Sequence, residues 1–115
     1  MHLDYARRDE AIAAIGRSVG ERLPIGDEWH VVAIVDGEVI GGVMRKGREV
    51  HLGITRPVFL RGLIRQYMRG DEVTTVRASH AVGRRFVERL GFVQTGESGE
   101  VIRYELKGLN HVRTA

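Results

Sequence analysis

Trp29-His30-Val31-Val32-Ala33-Ile34-Val35-Asp36-Gly37-Glu38-Val39-Ile40-Gly41-Gly42-Val43-Met44 is the stretch whose reading decides the fold. Its first half is a β-branched run too short for a buried helix. Asp36-Gly37 follows, and a second apolar run follows that. Asp-Gly between two strand-like runs is a strong hairpin signal, because glycine accepts the positive φ of a primed two-residue turn. Working outward, Arg45-Lys46-Gly47 predicts a second turn into a third strand, Glu49 to Ile54. The result is a three-strand antiparallel meander.

Upstream, His2 to Tyr5 suits a short opening strand. Asp9 and Glu10 suit a helix N-terminus, where carboxylates meet the positive end of the macrodipole. Ile12, Ile15, Val19 and Leu23 recur at helical spacing and predict the buried stripe of that helix. Pro24 and Gly26 break it.

Downstream, Pro57 can open a second helix, with Phe59, Leu60, Leu63, Ile64, Tyr67 and Met68 on one broad face through Arg69. Glu72 to Ala78 reads as a strand. Ser79 is the expected cap of a third helix whose stripe is Val82, Phe86, Val87 and Leu90, ended by Gly91. Phe92 and Val93 start a closing hairpin that turns at Gly96-Glu97-Ser98-Gly99. Its return strand puts Ile102, Tyr104 and Leu106 inside and Val101, Arg103 and Glu105 outside. The fold class is therefore α/β, an α+β mixed sheet in the order β-α-β-β-β-α-β-α-β-β.

The chain has 115 residues, 43% hydrophobic and 29% charged, an ordinary balance for one globular domain spanning 1–115 with a loosely ordered tail at 108–115. There is no cysteine, so disulfides and thiolate metal sites are excluded. No apolar run is long enough to span a bilayer, and no leader pattern opens the chain; a cytoplasmic setting is expected, with no membrane partner. The five histidines show no metal-ligand spacing, so no metal is expected. The net charge of +3 is too mild to establish nucleic-acid binding, and a nucleic-acid partner is not expected.

Arg85-Phe86-Val87-Glu88-Arg89-Leu90-Gly91-Phe92-Val93 resembles the late helix and Leu-Gly-Phe segment of the GNAT acyltransferase superfamily. The element order is similar to a minimal GNAT-like fold lacking its second helix, and to short GNAT-like proteins of tailed phages. The resemblance implies acetyl-CoA as co-substrate. Its pyrophosphate would lie on a turn matched here by Phe59 to Ile64, with Arg61, Gly62 and Leu63 as binding residues. His80 stands where the family places an asparagine. Phe59 and Ile64 depart from the family's polar and small residues, and Val87 stands where many members carry the tyrosine that protonates the leaving thiolate; Tyr67 or Tyr104 are the remaining candidates for that role. The phage-like members imply a second possibility: a non-enzymatic protein of virion or host partners, or a homo-oligomer.

The resemblance also implies that residues of the fourth strand border the acyl-transfer cleft, which makes His51 the candidate base, since a neutral imidazole can accept a proton from an incoming ammonium group. Glu49, two residues earlier, faces the same side of its strand and could do likewise. The competing reading leaves both simply facing water. Arg61, Arg65 and Arg69 recur every four residues, and Arg84, Arg85 and Arg89 cluster nearby. Both sets suit phosphate groups of CoA or nucleic acid, or form solvated helix faces. Trp29 and Tyr104 read as core or edge residues.

Overall fold

A computed structural model describes residues 1–20 and 24–106. In chain order the elements are β1 (His2–Asp4), α1 (Arg8–Val19), β2 (His30–Asp36), β3 (Glu38–Lys46), β4 (Glu49–Ile54), α2 (Arg61–Tyr67), β5 (Val73–Arg77), α3 (Ala81–Leu90), β6 (Phe92–Ser98) and β7 (Val101–Leu106). This is a mixed α+β architecture. The chain forms two compact units, Met1–Phe59 and Leu60–Ala115. Leu23 and the expected tail at 108–115 lie outside the described residues.

In the first unit, β1, β2, β3 and β4 pair antiparallel in chain order, as the meander predicts. Val31, Val32, Ala33, Ile34 and Val35 are all buried, so both faces of β2 are covered. A strand covered on both faces has no polar face to show, and this accounts for a continuous apolar run in place of alternation. The β2–β3 turn differs from the expected primed pair. Gly37 has φ 75°, but among the described residues no non-glycine has positive φ. Val35 pairs with Val39, and the register slips beside Ile34 and Val35. Ile40 is the extra residue, and its carbonyl accepts bonds from Thr55 N at 2.7 Å and Thr55 Oγ1 at 3.1 Å.

Helix α1 begins beside an exposed ion pair, Arg7 to Glu10 at 2.5 Å. That hydrogen bond holds the Glu10 carboxyl below the usual carboxylate range. Its contribution to stability is therefore present above the ordinary carboxylate pKa and lost as pH falls through the lowered one. The helix ends at Gly20, φ 75°. Its buried face is Ala11, Ala14, Ile15 and Gly16, while Val19 is 56% exposed, so the expected Ile12–Val19 stripe is rotated. The reason lies in the sheet below. Gly42 and Gly53 are cross-strand partners. A Cβ on Gly42 would stand 3.0 Å from Ala11 Cβ, 3.0 Å from Ile15 Cδ1 and 3.1 Å from Val32 O, and one on Gly53 would collide with Ser18 Oγ. Small helix residues over paired glycines let the two backbones approach; larger ones at those positions would hold them apart. Ala11, Ala14 and Ile15 then join Val31, Ala33, Val35, Val39 and Met44 in one core cluster.

In the second unit β5 and β6 both pair antiparallel with β7. Ile102, Tyr104 and Leu106 are buried, as the alternation predicts, whereas Val101 is 39% exposed. Two helices are shorter or less buried than expected. Helix α2 has only seven residues: Phe59 is fully exposed ahead of it, and Met68 is already extended, with ψ 144°. Arg69 therefore does not continue the row of Arg61 and Arg65. Helix α3 is preceded by His80 rather than capped by Ser79, and neither it nor α2 has a side-chain cap hydrogen bond. Val82 is 65% exposed, so the α3 stripe is reduced to Phe86, Val87 and Leu90. The closing turn also sits later than expected, because β6 continues to Ser98, with a bulge between Gln94 and Gly96.

Between α2 and β5 the chain wraps a carboxylate. Glu72 is 0% exposed. Its Oε2 accepts Arg69 N–H at 2.7 Å, and its Oε1 accepts Gly70 N–H at 2.9 Å and Asp71 N–H at 3.2 Å. Its own carbonyl accepts Leu106 N–H at 2.7 Å, fixing β7.

Two substitutions test these packings. G42V should destabilise by about 3 kcal/mol or more through overpacking against a backbone carbonyl, and G42A by about 1 kcal/mol, read by urea unfolding. E72Q turns an NH2 group onto backbone donors. Each hydrogen bond to a charged group contributes about 1.5–3 kcal/mol, so a loss of at least about 2 kcal/mol is expected in the same measurement.

Candidate functional site

The strands of the first unit bring four chemically active side chains together. His51 and Glu49 share one side of β4, two residues apart, as the strand period predicts. His51 Nε2 lies 2.7 Å from Glu49 Oε2. The side chains are 29% and 44% exposed, so both remain within reach of solvent. In register, Met44 is opposite His51 and Lys46 is opposite Glu49. Two residues further along β4 from His51 is Gly53, which packs against Ser18 and Ile15 of α1. His51 therefore stands at the rim of the helix-covered core, about 7 Å along the strand from its last covered residue.

Trp29 completes the group. The Arg8 guanidinium donates to Gly26 O at 2.7 Å and Trp29 O at 3.1 Å, pinning the loop that leads into β2. Trp29 packs against the core cluster from its edge. Its ring lies 5.8 Å from the His51 ring at 55°, and Lys46 Nζ lies 5.6 Å from its centroid. Trp29 is thus an edge residue, and it also walls one side of the imidazole. Period-two spacing places Glu49 on the His51 side of β4, as the contact shows, whereas Lys46 and this contact of Trp29 were not expected. Lys46 could have been found by carrying the hairpin register across to Glu49. Trp29 comes from more than twenty residues away and left no local signal.

Chemically, the pair is a carboxylate-oriented imidazole. With the Nε2 proton donated to Glu49, the Nδ1 lone pair is the site that accepts a further proton. An imidazole oriented in this way can act as a general base.

The other expected site residues belong to the second unit. Arg61, Gly62 and Leu63 form the first turn of α2, whose N–H groups have no acceptor within the helix by the geometry of a helix start. Arg61 and Gly62 are exposed, Leu63 is half-buried, and a Cβ on Gly62 would meet nothing within 4 Å. His80 is exposed at the start of α3. Its ring leans on Gly83, where a Cβ would come within 2.6 Å of Nδ1. Tyr104 is fully buried. Its hydroxyl donates to Glu88 Oε2 at 2.9 Å and accepts from Arg84 Nε at 3.2 Å. That hydrogen bond holds the Arg84 pKa above its usual value. Arg84 also donates to Ala78 O at 3.4 Å, tying the turn after β5 to α3. Arg65 Nη2 reaches Arg89 O at 3.4 Å, placing a cation at the negative end of α3.

Among the described residues no group of three or more His, Asp or Glu is placed to hold a metal ion, and no helix is long and apolar enough to cross a membrane. No family model, curated protein or solved structure matches the chain.

The Glu49 contact should fix the His51 tautomer. Long-range nitrogen–proton NMR correlations are expected to show the neutral ring as Nε2–H. In E49A the Nδ1–H form should gain population; an unchanged spectrum would refute the assigned contact.

Proposed function

We propose that the protein is a GNAT-like N-acyltransferase using acetyl-CoA, with His51 as base and Glu49 as the group that orients it. The 2.7 Å contact between His51 and Glu49 carries the reading. Two further observations support it. The element order is the one that the resemblance to GNAT proteins implies. The exposed Arg61 and Gly62 stand on the first turn of α2, the segment that the resemblance assigns to the pyrophosphate.

In this reading His51 Nδ1 takes one proton from the acceptor's ammonium group. The freed amine attacks the thioester carbonyl carbon, forming the C–N bond. The C–S bond breaks with its electron pair on sulfur, and the thiolate takes the second amine proton. No side chain at position 87 is needed for that last transfer, so Val87 is compatible with turnover.

One observation favours a second reading, a non-enzymatic member acting through protein contacts in a virion or host. The Tyr104 hydroxyl, one candidate for the acid that many GNAT members carry, is buried and committed to Glu88, so a transferase here would have to release its thiolate without that help.

Acetyl-CoA separates the two. An acyltransferase should gain about 2.7 kcal/mol of stability at a ligand concentration a hundredfold above Kd, seen as a raised Tm. No shift at millimolar ligand would remove the enzyme. With an amine acceptor, H51A should lower turnover by about 10²–10⁴-fold, and unchanged turnover would dismiss His51 as the base.

A further inference from the structure

The positive charge of the second unit is concentrated on its two helices. Arg61 and Arg65 lie one turn apart on α2, which has no acidic residue, and Arg85 and Arg89 lie one turn apart on α3. All four are exposed. The bond from Arg65 to the Arg89 carbonyl brings the two pairs to one place, since Arg61 and Arg85 are each a single turn of about 5.4 Å back along their helices. With Arg84 added and Glu88 subtracted, these two helices carry a formal charge of +4, against +3 for the entire chain. The remainder of the molecule is thus close to neutral overall, and the mild net charge conceals a local concentration.

Neutralisation within the fold does not account for the cluster. Among the described residues ion pairs form at Arg7, Arg56, Arg103 and His51, and none involves these four arginines. Glu88, the one acid on the two helices, is engaged by the Tyr104 hydroxyl. Like charges one turn apart destabilise a helix, so two such pairs work against folding rather than for it. The guanidinium is the side chain best matched to phosphate, through its planar fork of donors.

We propose that Arg61, Arg65, Arg85 and Arg89 bind the phosphate backbone of duplex nucleic acid without reading its sequence. Duplex is favoured over single strand because the exposed residues of the two helices include no aromatic ring on which bases could stack. The surface belongs to the second unit alone; it shares Arg61 with the acyl-transfer reading, but not His51 or Glu49, so duplex binding and an acetyl-CoA shift are read separately.

Fluorescence anisotropy with two unrelated 20-base-pair DNA duplexes tests it. Both should bind equally. Three or four phosphate contacts give a slope of log K against log salt of about −3, so affinity should fall roughly 60-fold between 50 and 200 mM salt. The R61A/R85A/R89A variant, checked for an unchanged Tm, should lose at least tenfold in affinity and flatten that slope by about three. R17A, at an exposed arginine of α1, should behave as wild type. Absence of duplex binding at 50 mM salt, or equal loss in R17A, would overturn the proposal. So would tighter retention on phosphatidylglycerol vesicles than on duplex. An acetyl-CoA thermal shift without duplex binding would sink this surface while leaving the transferase standing; duplex binding without a shift would do the reverse.

Discussion

Contact between α1 and the paired glycines of β3 and β4 governs the first unit. Gly42 and Gly53 face each other across the two strands, and Ala11, Ile15 and Ser18 lie directly over them. At such a crossing the absence of side chains is the structural element: it lets helix and sheet backbones come close enough for Ile15 to reach the strands beneath. The same constraint sets where reactive groups can emerge. Positions on β4 alternate, so the residues sharing the Gly53 face are His51 and Glu49. Because α1 covers Gly53, His51 is left at the edge of the covered area, half-sheltered, and Glu49 stands one step further into solvent. Partial shelter suits a base, which must be held in one orientation yet meet a substrate.

At the other end of the same strands the pairing is closed by polar contacts. The bulge at Ile40 turns a carbonyl toward Thr55, and Arg56 donates to Asp36 O at 2.9 Å and Asp36 Oδ2 at 2.8 Å. Residues on either side of the first hairpin are thereby fastened to the segment leaving β4. A bulge increases local twist and ends regular pairing. Here its unpaired carbonyl is satisfied at once by both donors of one threonine, so the irregularity leaves no buried acceptor unbonded.

The second unit is held differently. Three strands and two short helices bury little apolar surface, and two polar anchors lie where a larger domain would place hydrocarbon. One is the Glu72 carboxylate with its three backbone donors. The other is the Tyr104 hydroxyl between Arg84 and Glu88. Such groups contribute little net energy compared with the cost of leaving any one of them unpaired, so they act mainly on uniqueness of geometry. Each fixes an element whose own sequence specifies it weakly: the loop entering β5 in the first case, and the uncapped α3 in the second.

These differences explain which features could be read from the residues. The hairpins were legible because turn chemistry is local: Gly37 and Gly47 both take positive φ. That Glu49 and His51 share one side of β4 was legible, because a period of two needs only one strand; that they touch was not. The buried face of α1 was not, because hydrophobic periodicity ranks Ile12 and Val19 above Ala11 and Ala14, whereas close approach to glycine selects the small residues. Phe59 and Met68 extended the apparent periodicity of α2 beyond the seven residues that are helical. Glu72 carried only the weak hint of an acid after Gly70-Asp71, since a buried carboxylate and a solvated one are spelled alike. The charge concentration on α2 and α3 was hidden for a related reason: net charge sums over a chain, while phosphate responds to the field at one place. A total of +3 describes many surfaces, and only folding decides whether the arginines disperse among acids or stand together. Here the two helices contain five arginines and one glutamate, so acids on the same helices offset only a fifth of their positive charge.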